Sequence, residues 1–167
     1  MPVKNPKELF VTLLSDVRFG TEKVMKIFQE FIPFVQDPEI KQALEARLFI
    51  NEKIMATLDQ CFKLIGEQPV KPQTKLYDIF LEDFKKEFQE IQLPVAKHLF
   101  ILAKINHLIH LRIGEYMALI NMADMTGHYG VAVLLESCLA DKLALVERTK
   151  KFLRFIVETK IAERVAA

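Results

Sequence analysis

At 167 residues the chain is long enough for one domain with a substantial core, and its formal net charge of +1 excludes nucleic-acid binding driven by bulk electrostatics. Hydrophobic residues make up 51% and Phe occurs 13 times, while Gly is held to 5 and Trp is absent. Scarce glycine and long proline-free stretches favour helices over sheets. No uncharged apolar run reaches the ~18 residues of a membrane-spanning helix, and the opening Met1-Pro2-Val3-Lys4 lacks the apolar core of a signal peptide. The expectation is a cytoplasmic, single-domain protein over residues 1–167. Its apolar excess predicts a homodimer, with no membrane and no nucleic-acid partner.

Asn5, Pro6 and Glu8 form the first start signal: a cap, a proline suited to the first helical position, and the acid of a capping box. Phe10, Leu13, Leu14, Val17, Thr21, Val24 and Phe28 then recur at helical spacing, until Pro33 ends or kinks the helix. Gly20 lies inside this run, which suggests a close approach by a neighbour. Asp37-Pro38-Glu39 repeats the start signal for a helix from Pro38 to about Ile65, stopped by Gly66. Arg47 interrupts its apolar stripe.

Residues 67–74 contain Pro69 and Pro72 and read as a loop. Lys75–Ile91 is a shorter amphipathic helix with Tyr77, Phe80, Leu81, Phe84, Phe88 and Ile91 on one face. Pro94 opens the longest apolar helical pattern, closed by Gly127 or Gly130. The last helix runs from about Tyr129 to Glu163, with Val131, Leu134, Leu135, Cys138, Leu145, Phe152 and Phe155 among its apolar positions. Short links make antiparallel helix pairs, whereas the long middle link can cross the bundle. The expected fold is therefore all-α: a ferritin-like four-helix bundle with a long crossover between helices 2 and 3 and one short extra helix, five in all.

The segment Asn106–Tyr116 places His107, His110 and Arg112 inside the most apolar helix. Histidines three apart share a helical face, but hydrogen-bonded residues in or beside the core are the stronger reading than a metal pair. Cys61 and Cys138 lie in apolar patterns without zinc spacing, which predicts buried free thiols and a reducing compartment. The Phe residues read mostly as core, and Tyr116 as an interior tyrosine with a hydrogen-bond partner. No nucleophile with its base and orienter is visible, so no catalytic residue is assigned and an enzyme is disfavoured.

Several motifs in their order resemble the YciE/YciF family of ferritin-like proteins. Glu8-Leu9-Phe10 with Leu13-Leu14-Ser15-Asp16, and Phe19-Gly20-Thr21-Glu22-Lys23, are similar to its first helix. The stretch from Asp37 to Glu45, then Leu58 to Phe62 and Leu64 to Gly66, follows its second. Ala103, His110, Ile113, Tyr116 and Gly127 match the third long helix, and Leu134, Leu135 and Leu139 the last. The resemblance implies a stress-associated bacterial protein and a two-metal site of inward carboxylates and histidine.

Carried over residue by residue, that site is incomplete. Glu22, His110 and Asp141 fall on ligand positions, whereas Arg47, Ile50, Ile109 and Arg112 replace ligands. Isoleucine cannot ligate, and arginine does not lose its proton to do so. No Glu-x-x-His motif of the di-iron carboxylate type occurs anywhere in the chain. The expectation is a degenerate centre without metal or other cofactor. Arg47 or Arg112 would pair with Glu22 or Asp141, and Ile50 and Ile109 would plug the remaining volume. The function read from this is a structural or interaction module. The alternatives are an iron or manganese oxidase or ferroxidase with an atypical site on Glu22, His110 and Asp141, and a carrier of small apolar ligands.

Overall fold

In a computed structural model the chain is described over residues 3–35, 38–72 and 75–165, the side chains of Phe152, Ile156, Val157 and residues 160–165 excepted. Helix α1 spans Pro6–Phe31. Its N-cap forms as the sequence requires, the Asn5 side chain accepting from the Glu8 backbone N–H at 2.9 Å, while Glu8 Oε2 accepts from the Lys4 N–H at 2.8 Å, one residue before the cap N–H of a standard capping box. Pro33 sits in a short 3-10 turn, Ile32–Phe34, that ends α1. Helix α2 spans Pro38–Ile65, α3 Leu76–Glu90, α4 Pro94–Met125 and α5 Tyr129–Val165. The proposed Asp37 cap lies outside the described residues.

Two glycines stop helices by the same device. Gly66 and Gly127 have φ of 68° and 78°, a region that costs any residue with a Cβ. At Gly127 the His128 N–H reaches the Ala123 carbonyl at 2.8 Å and the Gly127 N–H the Asp124 carbonyl at 3.1 Å. At Gly66 the equivalent bonds run from Glu67 to Phe62 and from Gly66 to Lys63. Both are Schellman closures. Gly130 belongs to α5 instead of ending α4.

The contacts define the topology. Lys7 pairs with Glu67 and Arg18 with Asp59, so α1 and α2 run antiparallel. Phe10 stacks on His128 while Arg112 reaches Val17, so α1 and α4 are antiparallel. Arg47 meets Thr149 and Lys53 meets Asp141, which sets α2 against α5. Helices α2 and α4 therefore run parallel, as the long crossover through α3 allows. Helix α3 packs across α1 and α4. Its Phe84 lies 3.7 Å, ring to ring, from Phe31 and 5.0 Å from Phe100.

The core divides into two apolar clusters. One gathers Phe28, Phe31, Leu44, Phe84, Ile105 and neighbours, and the other Phe10, Leu14, Leu58, Tyr116, Leu135 and neighbours. Ile50 packs against both. Not every aromatic is inside: Phe34, Phe49 and Phe155 are exposed, which corrects the core reading of Phe155. The side chain of Phe152 lies outside the described ones. Helix α4 also exposes Leu99, Leu111 and Met117, so its nearly all-round apolar character does not mean all-round burial. Among the described residues no helix is long and apolar enough to cross a membrane.

A buried cationic centre as candidate functional site

Between the two clusters lies a polar layer. Arg47, Asn51, Arg112, Lys142, Thr149 and Thr21 are all buried there or directly beside it. Arg47, Asn51, Arg112 and Lys142 line one cavity together with Phe28 and Ile109. The cavity volume is about 20 Å³, space for roughly one water-sized occupant.

Arg112 is the best-satisfied member. Its Nη1 donates to Glu115 Oε2 at 2.6 Å and to the Tyr77 hydroxyl at 2.9 Å. Its Nη2 donates to the Val17 carbonyl at 2.7 Å and to the Thr21 hydroxyl. Tyr77 in turn donates to Glu115 at 2.8 Å. Burial alone would pull the guanidinium down, but Tyr77, Tyr116 and Glu115 hold it above its usual range. Gly20 makes this arrangement fit: a Cβ there would stand 2.5 Å from Tyr77 Cε2 and 2.7 Å from Arg112 Nη1.

The other two cations are poorer in partners. Arg47 donates through Nη2 to the Thr149 hydroxyl, while its Nη1 finds no partner among the described residues. Burial lowers its pKa to about 10. Lys142 places its ammonium 5.1 Å from the centre of the Tyr116 ring. Burial first, and the positive Arg112 second, lower its pKa to about 7. The Tyr116 hydroxyl comes near Thr21 and Arg112, yet no described residue completes a hydrogen bond with it. The expected partner of Tyr116 is thus not found there. Burial raises its pKa.

The positions carried over from the family resemblance do not converge. Glu22 is partly exposed on α1 and pairs with Lys26 at 2.9 Å. Asp141 turns to Lys53 at 3.2 Å. His110 is exposed and donates from Nδ1 to its own helix at the Asn106 carbonyl, 2.8 Å away. His107 is exposed as well, so neither histidine belongs to the core. Among the described residues no three His, Cys, Asp or Glu side chains form a group able to hold a metal ion. The residues present at the centre do not fit a di-metal pair, because Arg47, Arg112 and Lys142 would repel the ions that carboxylates are needed to offset.

Both arginines are inside, but the proposed pairings with Glu22 and Asp141 do not form. The physical reason is helical phase. Glu115 is one turn along α4 from Arg112 and reaches it without crossing the bundle. Glu22 and Asp141 find exposed lysines at lower desolvation cost. Ile109 lines the cavity and Ile50 packs beside it between the clusters. Lys142 was missed because it sits in a charge-rich stretch of α5. The signal was present: Leu135, Cys138, Lys142, Leu145 and Thr149 follow one another at three- and four-residue steps on a single buried stripe.

Comparison with known proteins agrees with this architecture. The model of DUF892, a domain of unknown function, matches residues 5–166. No curated protein matches the chain in sequence. YcfI from Rhodopseudomonas palustris, proposed to be a structural protein, superposes with a TM-score of 0.84 at 22% identity, over 89% of this chain and 94% of its own. The E. coli stress protein YciF gives 0.83 at 18% identity, over 90% and 95%. A protein from Xanthomonas campestris pv. campestris gives 0.74 at 19% identity, over 98% and 100%. Matched by the family model over nearly its whole length, the chain belongs to the DUF892 family, and its helical bundle is of the YciF type.

Proposed function

We propose that this protein is a structural or interaction module of the YciF type, associated with stress, whose bundle centre is held by side chains in place of a di-metal cluster. One observation carries the reading: Arg47, Arg112 and Lys142 all line the central cavity. A cluster of buried cations is the electrostatic opposite of a site that binds divalent metal. The descriptions of YcfI as a proposed structural protein and of YciF as a stress protein agree with it. The first partner in this reading is a second copy of the chain, since Phe49, Met125, Tyr129 and Val133 leave large apolar side chains exposed.

Metal analysis of protein purified without chelators tests the reading. The expected result is iron and manganese far below one ion per chain, unchanged in Glu22→Ala. Near-stoichiometric metal that disappears in Glu22→Ala, or in Asp141→Ala, would overturn it and favour the oxidase alternative.

A further inference from the structure

The positive charge at the bundle centre exceeds the negative charge that meets it. Arg112 has a carboxylate, Glu115, at 2.6 Å. Arg47 has only a hydroxyl, from Thr149, and one idle nitrogen among the described residues. Lys142 meets the face of Tyr116 and makes no ion pair with a carboxylate among the described residues, although Glu115 and Asp141 act on it from farther off. Asp141, its neighbour in sequence, is committed to Lys53 on the outside. Two buried basic groups thus line one cavity, and among the described residues neither forms an ion pair with a carboxylate. Uncompensated buried charge is costly, and a counter-ion of opposite sign removes most of that cost.

The cavity selects among counter-ions. Its space of about 20 Å³ favours a single small occupant over phosphate, sulfate or a carboxylate-bearing molecule. Its polar lining offers nitrogen donors from Arg47, Asn51, Arg112 and Lys142, and the rest of its lining is apolar. A water molecule would accept two hydrogen bonds but would leave the charge uncompensated. A metal cation would be repelled. We propose that the cavity binds a single monatomic anion of the halide class, between the idle Arg47 nitrogen and the Lys142 ammonium. This rests on the side-chain-filled centre proposed above. In this protein the space between the four long helices takes an anion.

Bromide tests the site directly. Crystals of the full chain grown in sodium gluconate and soaked in sodium bromide are measured at the bromine absorption edge. The expected result is one internal anomalous peak within hydrogen-bond distance of Arg47 Nη1 and Lys142 Nζ, displaced by chloride. In solution, Tm is followed in sodium chloride, bromide and gluconate at matched ionic strength. Chloride and bromide raise Tm above the gluconate line in a saturable way, and Lys142→Met and Arg47→Met each abolish that increment. Absence of the internal peak in the unaltered protein overturns the proposal even if a variant fails to fold. So does a halide increment that both variants retain. Stoichiometric metal lost in Glu22→Ala would overturn the side-chain-filled centre as well, whereas metal-free protein without internal bromide overturns the anion site alone.

Discussion

Lys142 is the residue whose environment differs most from what its type prefers. Its amine lies beside the Tyr116 ring, with Arg112 and Arg47 lining the same cavity and Cys138, Glu115 and Asp141 contributing to its field. Its pKa is lowered from 10.5 to about 7 in the fold. The unfolded chain therefore binds the extra proton between pH 7 and 10.5, and stability rises with pH across that window. Below pH 7 both states are protonated and the full penalty for burying the charge is present. In halide-free buffer, Lys142→Met is expected to be more stable than the unaltered protein by about 1–4 kcal/mol at pH 6.5. The advantage should shrink toward pH 10. Urea midpoints at several pH values check this, and a variant less stable than its parent at pH 6.5 contradicts it. Cys61 and Cys138 were legible from sequence alone, because a thiol inside an apolar helical stripe has nowhere else to go. Both are free and buried, and burial, aided by the proximity of Cys138, pushes Cys61 up to about 12. The hydrogen-bonded set around Arg112 was not legible, since Tyr77, Glu115 and Val17 are brought together only by the packing of α1, α3 and α4.

Among the elements, caps and stops carried the clearest sequence signals, and the helix limits follow them. Asn5, Pro6 and Glu8 start α1, Gly66 closes α2, and Pro94 and Gly127 bracket α4. These are local interactions decided within a few residues, so a single sequence contains them. What faces inward on a long helix is decided by its neighbours, and that is why His110 on α4 turned out exposed while Arg112, two residues on, is buried. Gly20 joins the two kinds of information. In an isolated helix, alanine there would gain about 1 kcal/mol of propensity. In this bundle the added methyl would strike the Tyr77 ring and the Arg112 guanidinium, both held by hydrogen bonds. Overpacking of this kind costs about 1–3 kcal/mol. Gly20→Ala is therefore expected to lower stability despite its better helix propensity, and in Tyr77→Ala the same substitution should become neutral or favourable. A double-mutant cycle by chemical denaturation measures that reversal.

The whole molecule is two apolar clusters joined at a polar waist. Apolar contact crosses that waist at Ile50, which packs against both sides. Shortening it to alanine is expected to cost about 2–4 kcal/mol, more than a half-buried isoleucine would otherwise suggest. Native-state hydrogen exchange of Ile50→Ala should then show the two ends opening with different free energies, where the unaltered chain opens them more nearly together. Uniform exchange in the variant would argue against a division at the waist. The overall topology was legible because link lengths and stop signals leave few ways to arrange the four long helices, and the crossover through α3 was visible as a proline-marked loop before a separate amphipathic segment. The composition of the waist was not, because it depends on which of many lysines and arginines the assembled bundle encloses.

The waist also bears on how the helices find their alignment. Leucine-rich surfaces are nearly interchangeable from turn to turn, so two such helices can slide by one turn and still bury similar area. A charged layer removes that freedom. Sliding α5 by one turn against α2 would draw Lys142 into the aliphatic packing of either cluster and take Thr149 away from Arg47. The native alignment brings Arg47, Arg112 and Lys142 to one cavity beside the hydroxyls and the carboxylate that tolerate them. The buried cations thus act as a key that distinguishes the native register from its neighbours, a role for which the cost to stability is the mechanism itself.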